Sequence, residues 1–162
     1  MEKTLLKKEI IADLNYRIQQ EEFSSRLYKQ MSLWFGNNGY AHLSQLYTKY
    51  ATEEMNHASW AEGFLLNHGI MPELKPLQSP YAKYDSCMDI LEETLKHELD
   101  ITKQCETLAS TALKAGSYTL YSLAIKYCAE QIEEVGKAID IIDHAMLTKD
   151  LLVLDNYIKK YL

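Results

Sequence analysis

The sequence is poor in cysteine, with only Cys87, Cys105 and Cys128 among its 162 residues. None of the three has a partner at CxxC spacing, and each falls within a helical pattern. An odd number of cysteines without that spacing is typical of reduced, packed thiols and excludes a disulfide framework. We therefore expect the protein to work in a reducing cytoplasm.

Basic charge and long apolar runs are also scarce. The 17 basic side chains face 23 acidic ones, which gives a formal charge of -6 and an isoelectric point near 5.4. This balance argues against binding nucleic acid by bulk charge and suits metal cations better. The stretch Met1–Thr4 lacks the apolar core of a signal peptide, and no apolar run reaches membrane-spanning length. We expect no nucleic-acid partner and no membrane association.

Proline and glycine are few, and their positions divide the chain into helices. All three prolines lie between Gly69 and Asp85, and the glycine-containing turns 36–39 and 115–117 interrupt otherwise helical apolar spacing. At about 17 residues, the proline segment can extend to about 55 Å, longer than a helix of about 30 residues at about 45 Å, so it can return the length of a bundle. The predicted helices span about 5–35, 40–67, 86–114, 117–147 and 150–161.

These patterns predict an all-α fold in one domain, residues 1–162. The fold is a four-helix bundle with a long crossover between the second and third helices and a short fifth helix at the C-terminus. Ser86 and Asp89 have capping-box spacing at the start of the third helix. The inward positions predicted for the first helix continue through Glu21, Ser25 and Tyr28. Those predicted for the third include Leu91 and Leu95, and those for the fifth are Leu151, Leu154, Ile158 and Tyr161.

Acidic residues interrupt these apolar stripes at the middle of each long helix. In the second helix, Glu54 and His57 are three residues apart and point the same way. An isolated buried charge costs roughly several kcal/mol of folding free energy unless a metal ion or a counter-charge compensates it. The helix midpoints meet in one layer whatever the helix directions. The set is Glu21, Glu54, His57, Glu98, Gln131 and Glu134.

Such a layer is rich in oxygen ligands and has one nitrogen ligand, a set that suits iron, manganese or zinc. One carboxylate from each of two helices, with a pair at i, i+3 from each of the other two, is typical of two-metal centres in helical bundles. The spacing of Glu54 and His57 alone is more often that of a solvated helix face. By spacing alone, Glu53, Glu130 and Glu133 remain alternatives as surface acids, and Tyr28 as a core aromatic.

Several stretches together resemble the non-haem bacterial ferritins. The resemblance covers nearly the whole chain, and its most specific part is Glu53-Glu54-Met55-Asn56-His57. The other stretches are Glu21 to Tyr28, Met31 to Trp34, Ser79 to Tyr84, Lys96 to Glu98 and Glu130 to Glu134. The resemblance implies a ferritin-like fold and an iron-storage protein that oxidises Fe²⁺ with O₂ or H₂O₂ and deposits ferric mineral inside a shell of 24 identical subunits.

The same resemblance implies roles for the layer residues. Glu21, Glu54 and His57 would hold one iron, with Glu54 bridging to a second iron. That second iron would be held by Glu98 and Glu134, with Gln131 close by. A third iron site would use Glu53, Glu130 and Glu133 together with Glu134. Tyr28 would donate a hydrogen bond or an electron at the centre.

The resemblance also separates this chain from related families. Bacterioferritin has Glu-x-x-His on both the second and fourth helices, whereas the fourth helix here has Gln131-x-x-Glu134, so we expect no haem although Met55 matches the haem-ligating position. Rubrerythrin-like oxidases repeat Glu-x-x-His and often have a CxxC module, which the sequence lacks. A non-catalytic metal-bound scaffold or passive cage remains the alternative of a different class.

Overall fold

The computed structural model describes residues 4–162 as five α-helices and a final 3₁₀ turn, and residues 1–3 of the predicted single domain lie outside it. The four long helices are α1 (Lys8–Asn37), α2 (Ala41–Asn67), α3 (Cys87–Lys114) and α4 (Tyr118–Thr148). The short helix α5 (Leu151–Tyr157) is followed by a 3₁₀ turn over Ile158–Tyr161. No strand occurs in the described chain. The predicted all-α class is confirmed, and each predicted limit of the four long helices lies within three residues of the observed one.

Two antiparallel hairpins, α1 with α2 and α3 with α4, pack together as the bundle. Their tight turns contain Gly39 and Gly116, whose φ angles of 85° and 66° favour glycine. Helix α1 runs antiparallel to α3, because Arg17 contacts Cys105 whereas Ser24, further along α1, contacts His97. Helices α2 and α3 are therefore parallel, an arrangement that needs a connection as long as this crossover.

The crossover, residues 70–86, has no helix and is tied to α1 along its length. Gln19 Nε2 donates to the carbonyl of Pro76, and Asn15 Oδ1 accepts from the backbone N–H of Glu73. The crossover ends in the predicted capping box: Ser86 Oγ accepts from the N–H of Asp89, and the Asp89 carboxylate accepts from the N–H of Ser86. These bonds satisfy backbone groups that the start of α3 would otherwise leave unpaired.

Two apolar clusters fill the bundle, one toward each end. The first includes Met31, Phe35, Leu43, Leu46, Ile90 and Ile141, and the second includes Leu14, Ile18, Leu65, Ile101 and Leu120. Between them lies a layer of polar side chains drawn from all four long helices, in agreement with the prediction. Among residues 4–162, none of the helices combines the length and the apolar character that crossing a membrane requires.

Some details of the predicted inward faces are wrong. Ser24 is buried on α1, whereas Ser25 is only partly buried and donates to the carbonyl of Ala51. On α3, Thr94 rather than Leu95 is the buried residue before Glu98. In each of these two helices the inward face departs from the predicted one by a single residue, because steps of three and four residues can alternate in more than one order along the same face.

The predicted inward face of the fifth helix is wrong at one position. Leu154 and Ile158 are fully buried, but Leu151 is 40% exposed in the single chain. The helix is a short one that contacts the bundle with only part of its apolar surface. Its exposed side is apolar at Leu151, Leu152 and Val153.

Candidate metal centre

Each predicted layer residue is buried at the centre of the bundle. Exposed fractions range from 1% for Glu21 to 6% for Glu134. Helix α1 supplies Glu21, α2 supplies Glu54 and His57, α3 supplies Glu98, and α4 supplies Gln131 and Glu134. Because apolar residues pack above and below the layer, water cannot easily solvate these charges.

Glu21, Glu54 and His57 form the tightest part of the layer, hereafter the triad. One ligand atom from each lies within 4.8 Å of the other two. His57 Nδ1 is 2.9 Å from Glu54 Oε2 and 3.7 Å from Glu21 Oε2. Two carboxylate oxygens and one imidazole nitrogen facing a common point can bind a divalent transition metal ion. The triad is the one such group of three among residues 4–162.

The other half of the layer contains Glu98, Gln131 and Glu134, and is held differently. Glu98 accepts hydrogen bonds from the Tyr28 hydroxyl and, at 2.8 Å, from Gln131 Nε2. Glu134 Oε1 lies 3.2 Å from Lys137 Nζ. Here the protein's own donors and an ammonium group surround the carboxylates. Among residues 4–162, no third histidine, cysteine, aspartate or glutamate joins Glu98 and Glu134 to make a second group of three ligands as close together as the triad.

Burial raises the pKa of three carboxyl groups of the layer, those of Glu54, Glu98 and Glu134. Burial, together with the neighbouring Glu21, raises the pKa of Glu54 well above its usual value. Burial also raises the pKa of Glu98, although the hydrogen bonds from Tyr28 and Gln131 act in the opposite direction. The pKa of Glu134 is raised to about 7 by burial, against the effect of Lys137. A bound cation would favour the ionised forms, so the layer is a place where positive charge is stabilised.

The surroundings of His57 fix its ring. The Trp60 ring packs 4.8 Å from the imidazole, centroid to centroid. The Tyr127 hydroxyl donates to the carbonyl of His57 at 2.5 Å and accepts from the N–H of Ala61. Contacts of this kind hold a ligand in one orientation before any ion binds.

Tyr28 lies inside the centre, as predicted. It is 1% exposed, and its ring packs edge-on against Tyr47 and against His97. Burial and the Glu98 charge raise its pKa well above the usual value, so the hydroxyl stays protonated and donates. His97, which sequence analysis left out of the site, is held by Ser24 Oγ at 2.7 Å and supports the Tyr28 ring.

The residues predicted for a third site lie on the α2 and α4 side of the layer with unequal burial. Glu130 Oε1 is 3.6 Å from His57 Nε2, and Glu53 Oε2 is buried without a hydrogen-bond partner among the described residues. Glu133 is exposed. The three residues do not form a metal-binding group at the separation found in the triad.

Two basic residues beside the layer, Arg17 and Lys137, were not among the predicted site residues. Arg17 is 2% exposed and its Nε lies 2.8 Å from Glu21 Oε1. The sequence did contain a signal for Arg17. Steps of three, four and three residues lead from Leu14 through Arg17 and Glu21 to Ser24, so Arg17 shares the inward face. Lys137 lies three residues after Glu134 on α4, within reach of its carboxylate.

Comparison with known proteins agrees with this geometry. The chain matches the model of the ferritin-like domain over residues 11–146. It is 34% identical over 143 residues to the bacterial non-heme ferritin of Escherichia coli O157:H7, covering 88% of this chain and 87% of that protein. It is 30% identical over 159 residues to the bacterial non-heme ferritin of Campylobacter jejuni, covering 96% and 95%.

A solved structure, an open pore ferritin from the hyperthermophilic archaeon Archaeoglobus fulgidus, superposes with a TM-score of 0.90 at 27% identity, covering 97% of each chain. The match therefore extends through all four long helices and the C-terminal segment. A family match over residues 11–146, agreement in sequence over most of the chain and agreement in fold all point to one conclusion. The chain belongs to the ferritin family.

Proposed function

We propose that the protein stores iron and oxidises Fe²⁺ to Fe³⁺ at a two-iron centre within each subunit. The observation that supports this most directly is the triad, three ligating side chains buried at one point in an otherwise apolar core. The names of the relatives, non-heme ferritins, fit the same function. Iron is here the substrate and the stored cargo.

In this proposal Glu21, Glu54 and His57 bind the first iron, and Glu54 also bridges to the second. Glu98 and Glu134 bind the second iron, with Gln131 beside them. Binding two Fe²⁺ ions displaces the protons that burial favours on Glu54 and Glu134, which makes the carboxylates full anions. Hard carboxylate oxygens stabilise Fe³⁺ more than Fe²⁺, so the ligands favour oxidation.

The electron balance requires two iron ions for each turnover. Two Fe²⁺ give up one electron each to O₂, which takes up two protons and leaves as H₂O₂, or to H₂O₂, which takes up two protons and leaves as two water molecules. Pairing the two ions in one centre supplies both electrons together. Tyr28 holds the Glu98 carboxylate through its hydroxyl and lies within reach to act as a hydrogen-bond donor or an electron donor.

The third iron site is part of the same proposal. Glu53, Glu130 and Glu133, together with Glu134, would receive ferric iron leaving the centre. The short distance from Glu130 to His57 and the buried, unpartnered Glu53 oxygen support a path on this side of the layer. Because Glu133 is exposed in the single chain, it would take iron onward rather than hold it in the core.

The product would be stored in a shell. We propose a homo-oligomer of 24 subunits in the cytoplasm, with a ferric mineral inside, no haem and no nucleic-acid partner. The similarity to ferritins of known structure supports an assembly of subunits. The exposed apolar side of α5, with Leu152 and Val153, is a surface that subunits could cover on assembly.

The test is stopped-flow oxidation of the assembled protein. The protein is loaded anaerobically with Fe²⁺ and mixed with O₂ or with H₂O₂, while ferric absorbance is followed against buffer without protein. We expect rapid oxidation of about two Fe²⁺ per chain, as a two-metal centre requires. Glu54→Ala should abolish the rapid phase. Glu62→Ala is the matched control, because Glu62 is a partly exposed acid two turns further along α2.

Size-exclusion chromatography before and after iron loading reports the shell. A single large particle that elutes with iron far in excess of two per chain would support storage. Oxidation no faster than in buffer alone, with wild-type protein that remains assembled, would contradict the ferroxidase proposal and leave a passive cage. Loss of assembly in Glu54→Ala but not in Glu62→Ala would mean that Glu54 is structural.

A further inference from the structure

A permanently charged arginine lies in the core beside the triad. Arg17 is 2% exposed, one helical turn before Glu21 on α1. Its Nη1 donates to Gln104 Oε1 at 3.1 Å and to Cys105 Sγ at 3.7 Å, both on α3. An arginine keeps its charge in any protein environment, so this part of the core always contains one positive charge.

The opposite edge of the guanidinium faces the acidic layer. Nε lies 2.8 Å from Glu21 Oε1, an ion pair whose angle is too bent for a hydrogen bond. Nε and Nη2 share one edge of the planar group, and Nη2 is buried without a hydrogen-bond partner among the described residues. The guanidinium is therefore held on its α3 side and incompletely satisfied on its Glu21 side.

Glu21 consequently lies between the Arg17 guanidinium and the imidazole of the triad. Its Oε1 faces Arg17, and its Oε2 lies 3.7 Å from His57 Nδ1 in the triad. A metal ion in the triad needs the negative charge of Glu21, which the guanidinium already partly neutralises. The ion and the guanidinium would also repel each other across a core where water screens little.

We propose that Arg17 is a resident counter-cation of Glu21, which balances the empty triad and lowers its affinity for divalent metal ions. The role in iron handling rests on the proposed function: a weaker first site would release iron toward storage instead of retaining it. The competition itself depends only on charge and geometry, so it applies to any divalent ion that the triad binds.

A purely structural arginine makes a different prediction. If Arg17 only held the helices and oriented Glu21, its removal would lower both the stability of the metal-free protein and the affinity for metal. A counter-cation that competes with metal gives effects of opposite sign. Its removal lowers the stability of the metal-free protein, because Glu21 is left buried without a partner, and raises the affinity for metal.

The experiment measures Co²⁺ binding to the assembled, metal-free protein under anaerobic conditions. The visible absorption of Co²⁺ reports its ligands, and titration gives the dissociation constant. Arg17→Gln should bind the first Co²⁺ about tenfold to a hundredfold more tightly, as expected when a charged contact to a ligand is removed. Its thermal midpoint without metal should be lower than that of the wild type. Arg17→Met, which fills similar space without charge, should act in the same direction and serves if Arg17→Gln does not fold.

Two controls separate charge from packing. Arg17→Lys keeps the charge, and because Glu21 is contacted by Nε alone, its Co²⁺ affinity should stay within about threefold of the wild type. Arg26→Gln removes the only other arginine of the sequence, which is exposed on the same helix, and should change neither affinity nor stability. Unchanged or weaker Co²⁺ binding in the folded, uncharged variants would overturn the proposal.

The outcome is independent of iron oxidation. Co²⁺ binding reports the triad even if wild-type protein oxidises Fe²⁺ no faster than buffer, in which case the ferroxidase proposal fails and the counter-cation proposal stands. Conversely, fast oxidation with no gain in Co²⁺ affinity on removal of Arg17 would leave the ferroxidase proposal intact and remove this one.

Discussion

Buried acids occur in two regions of the molecule, and the two regions differ in how many hydrogen-bond donors the chain places around them. At the C-terminal end, Asp155 is 7% exposed and accepts from the N–H groups of His42 and Leu43 at the start of α2, and also contacts the His42 ring at 2.8 Å. In the central layer, Glu54 has one imidazole partner and faces Glu21.

A second pair of acids shows a related difference, although the Asp140 side chain is 35% exposed. Asp140 near the C-terminal end receives hydrogen bonds from the Tyr161 and Tyr157 hydroxyls and pairs with Lys160, and these groups lower its pKa. In the central layer, burial raises the pKa of Glu134 to about 7. Where an acid only fastens a helix, the chain surrounds it with donors. Where burial raises the pKa of acids that lie close together, a bound cation would favour their ionised forms.

The largest effect expected from this comparison is the loss of metal binding in the central layer. Glu54→Gln keeps the shape of the side chain but removes a ligand charge, so Co²⁺ or Zn²⁺ affinity should fall about a hundredfold or more. This loss is larger than the one expected from mutating a residue that only contacts a metal ligand. The thermal midpoint of the metal-free protein should not fall, because the amide resembles the neutral acid that burial favours. Titration and calorimetry measure the two quantities.

Glu62→Gln is the control for this variant and should leave both quantities unchanged. A marked loss of metal-free stability in Glu54→Gln would contradict the comparison, since it would give this central acid the structural role assigned to Asp155.

The reverse pattern is expected at the C-terminal end. Asp155→Ala removes a cap from α2 and a side-chain hydrogen bond between α2 and α5, which should lower the free energy of unfolding by about 2 kcal/mol per chain. Affinity for Co²⁺ should not change. Guanidinium denaturation of the metal-free protein measures the loss, and Asn156→Ala, at the exposed neighbouring position, is the control. Equal losses in both variants would show that Asp155 contributes no more than its neighbour.

A smaller effect is expected from pH. The folded pKa of Glu134 is about 7, above its ordinary value of 4.5, so the folded chain retains a proton that the unfolded chain has lost between these values. Stability of the metal-free protein should therefore fall as pH rises from about 5 to about 7, on the order of 1 kcal/mol because coupled carboxylates share the protons. Saturating Zn²⁺ should flatten or reverse this slope.

Thermal denaturation across this range, with chelator and with Zn²⁺, measures the slope. Asp140 does not obscure it, because a lowered pKa affects stability only as pH falls below the ordinary value of 3.8. Glu134→Gln should reduce the slope. Identical slopes with chelator and with Zn²⁺ would mean that the central carboxylates do not titrate as the comparison requires.

The smallest effect is expected at Lys137. Its ammonium lies 3.2 Å from Glu134 but is 28% exposed, so water screens part of the interaction. Lys137→Gln should move the midpoint of the pH profile to higher pH by a few tenths of a unit, since the ammonium opposes the rise in the pKa of Glu134. Lys126→Gln is the control, because that ammonium lies over the Trp60 ring. An equal shift in both variants would reflect overall charge alone.

Much of the fold was predictable because the residues that begin and end its helices act locally. The capping box at Ser86 and Asp89, the glycines of the two tight turns and the prolines of the crossover all act within a few residues. Individual positions on the inward faces were less predictable. The first helix was predicted with Ser25 inward and has Ser24 inward, since the true face is set by what packs against it.

The centre was predictable in composition and less so in arrangement. Acids at the helix midpoints had to meet in one layer, and the burial of all six residues agrees with that expectation, whereas the grouping of the triad and the place of Tyr28 beside it came from the family resemblance. The two basic neighbours were missed because an arginine or lysine on a helix is more often solvated. Whether such a side chain is buried depends on the carboxylates that it contacts in the folded protein.

The sequence by itself determined the class of fold, the approximate bounds of its helices and the depth at which acids interrupt the apolar stripes, because helical periodicity and turn chemistry are properties of neighbouring residues. Only the tertiary structure decided which carboxylate oxygen of Glu21 faces Arg17, which acids remain short of donors, and which, like Asp155, fasten one helix to another. Those choices depend on groups far apart in sequence that come within a few ångströms only when the four helices pack, and charge interactions in the core are strong only at such separations.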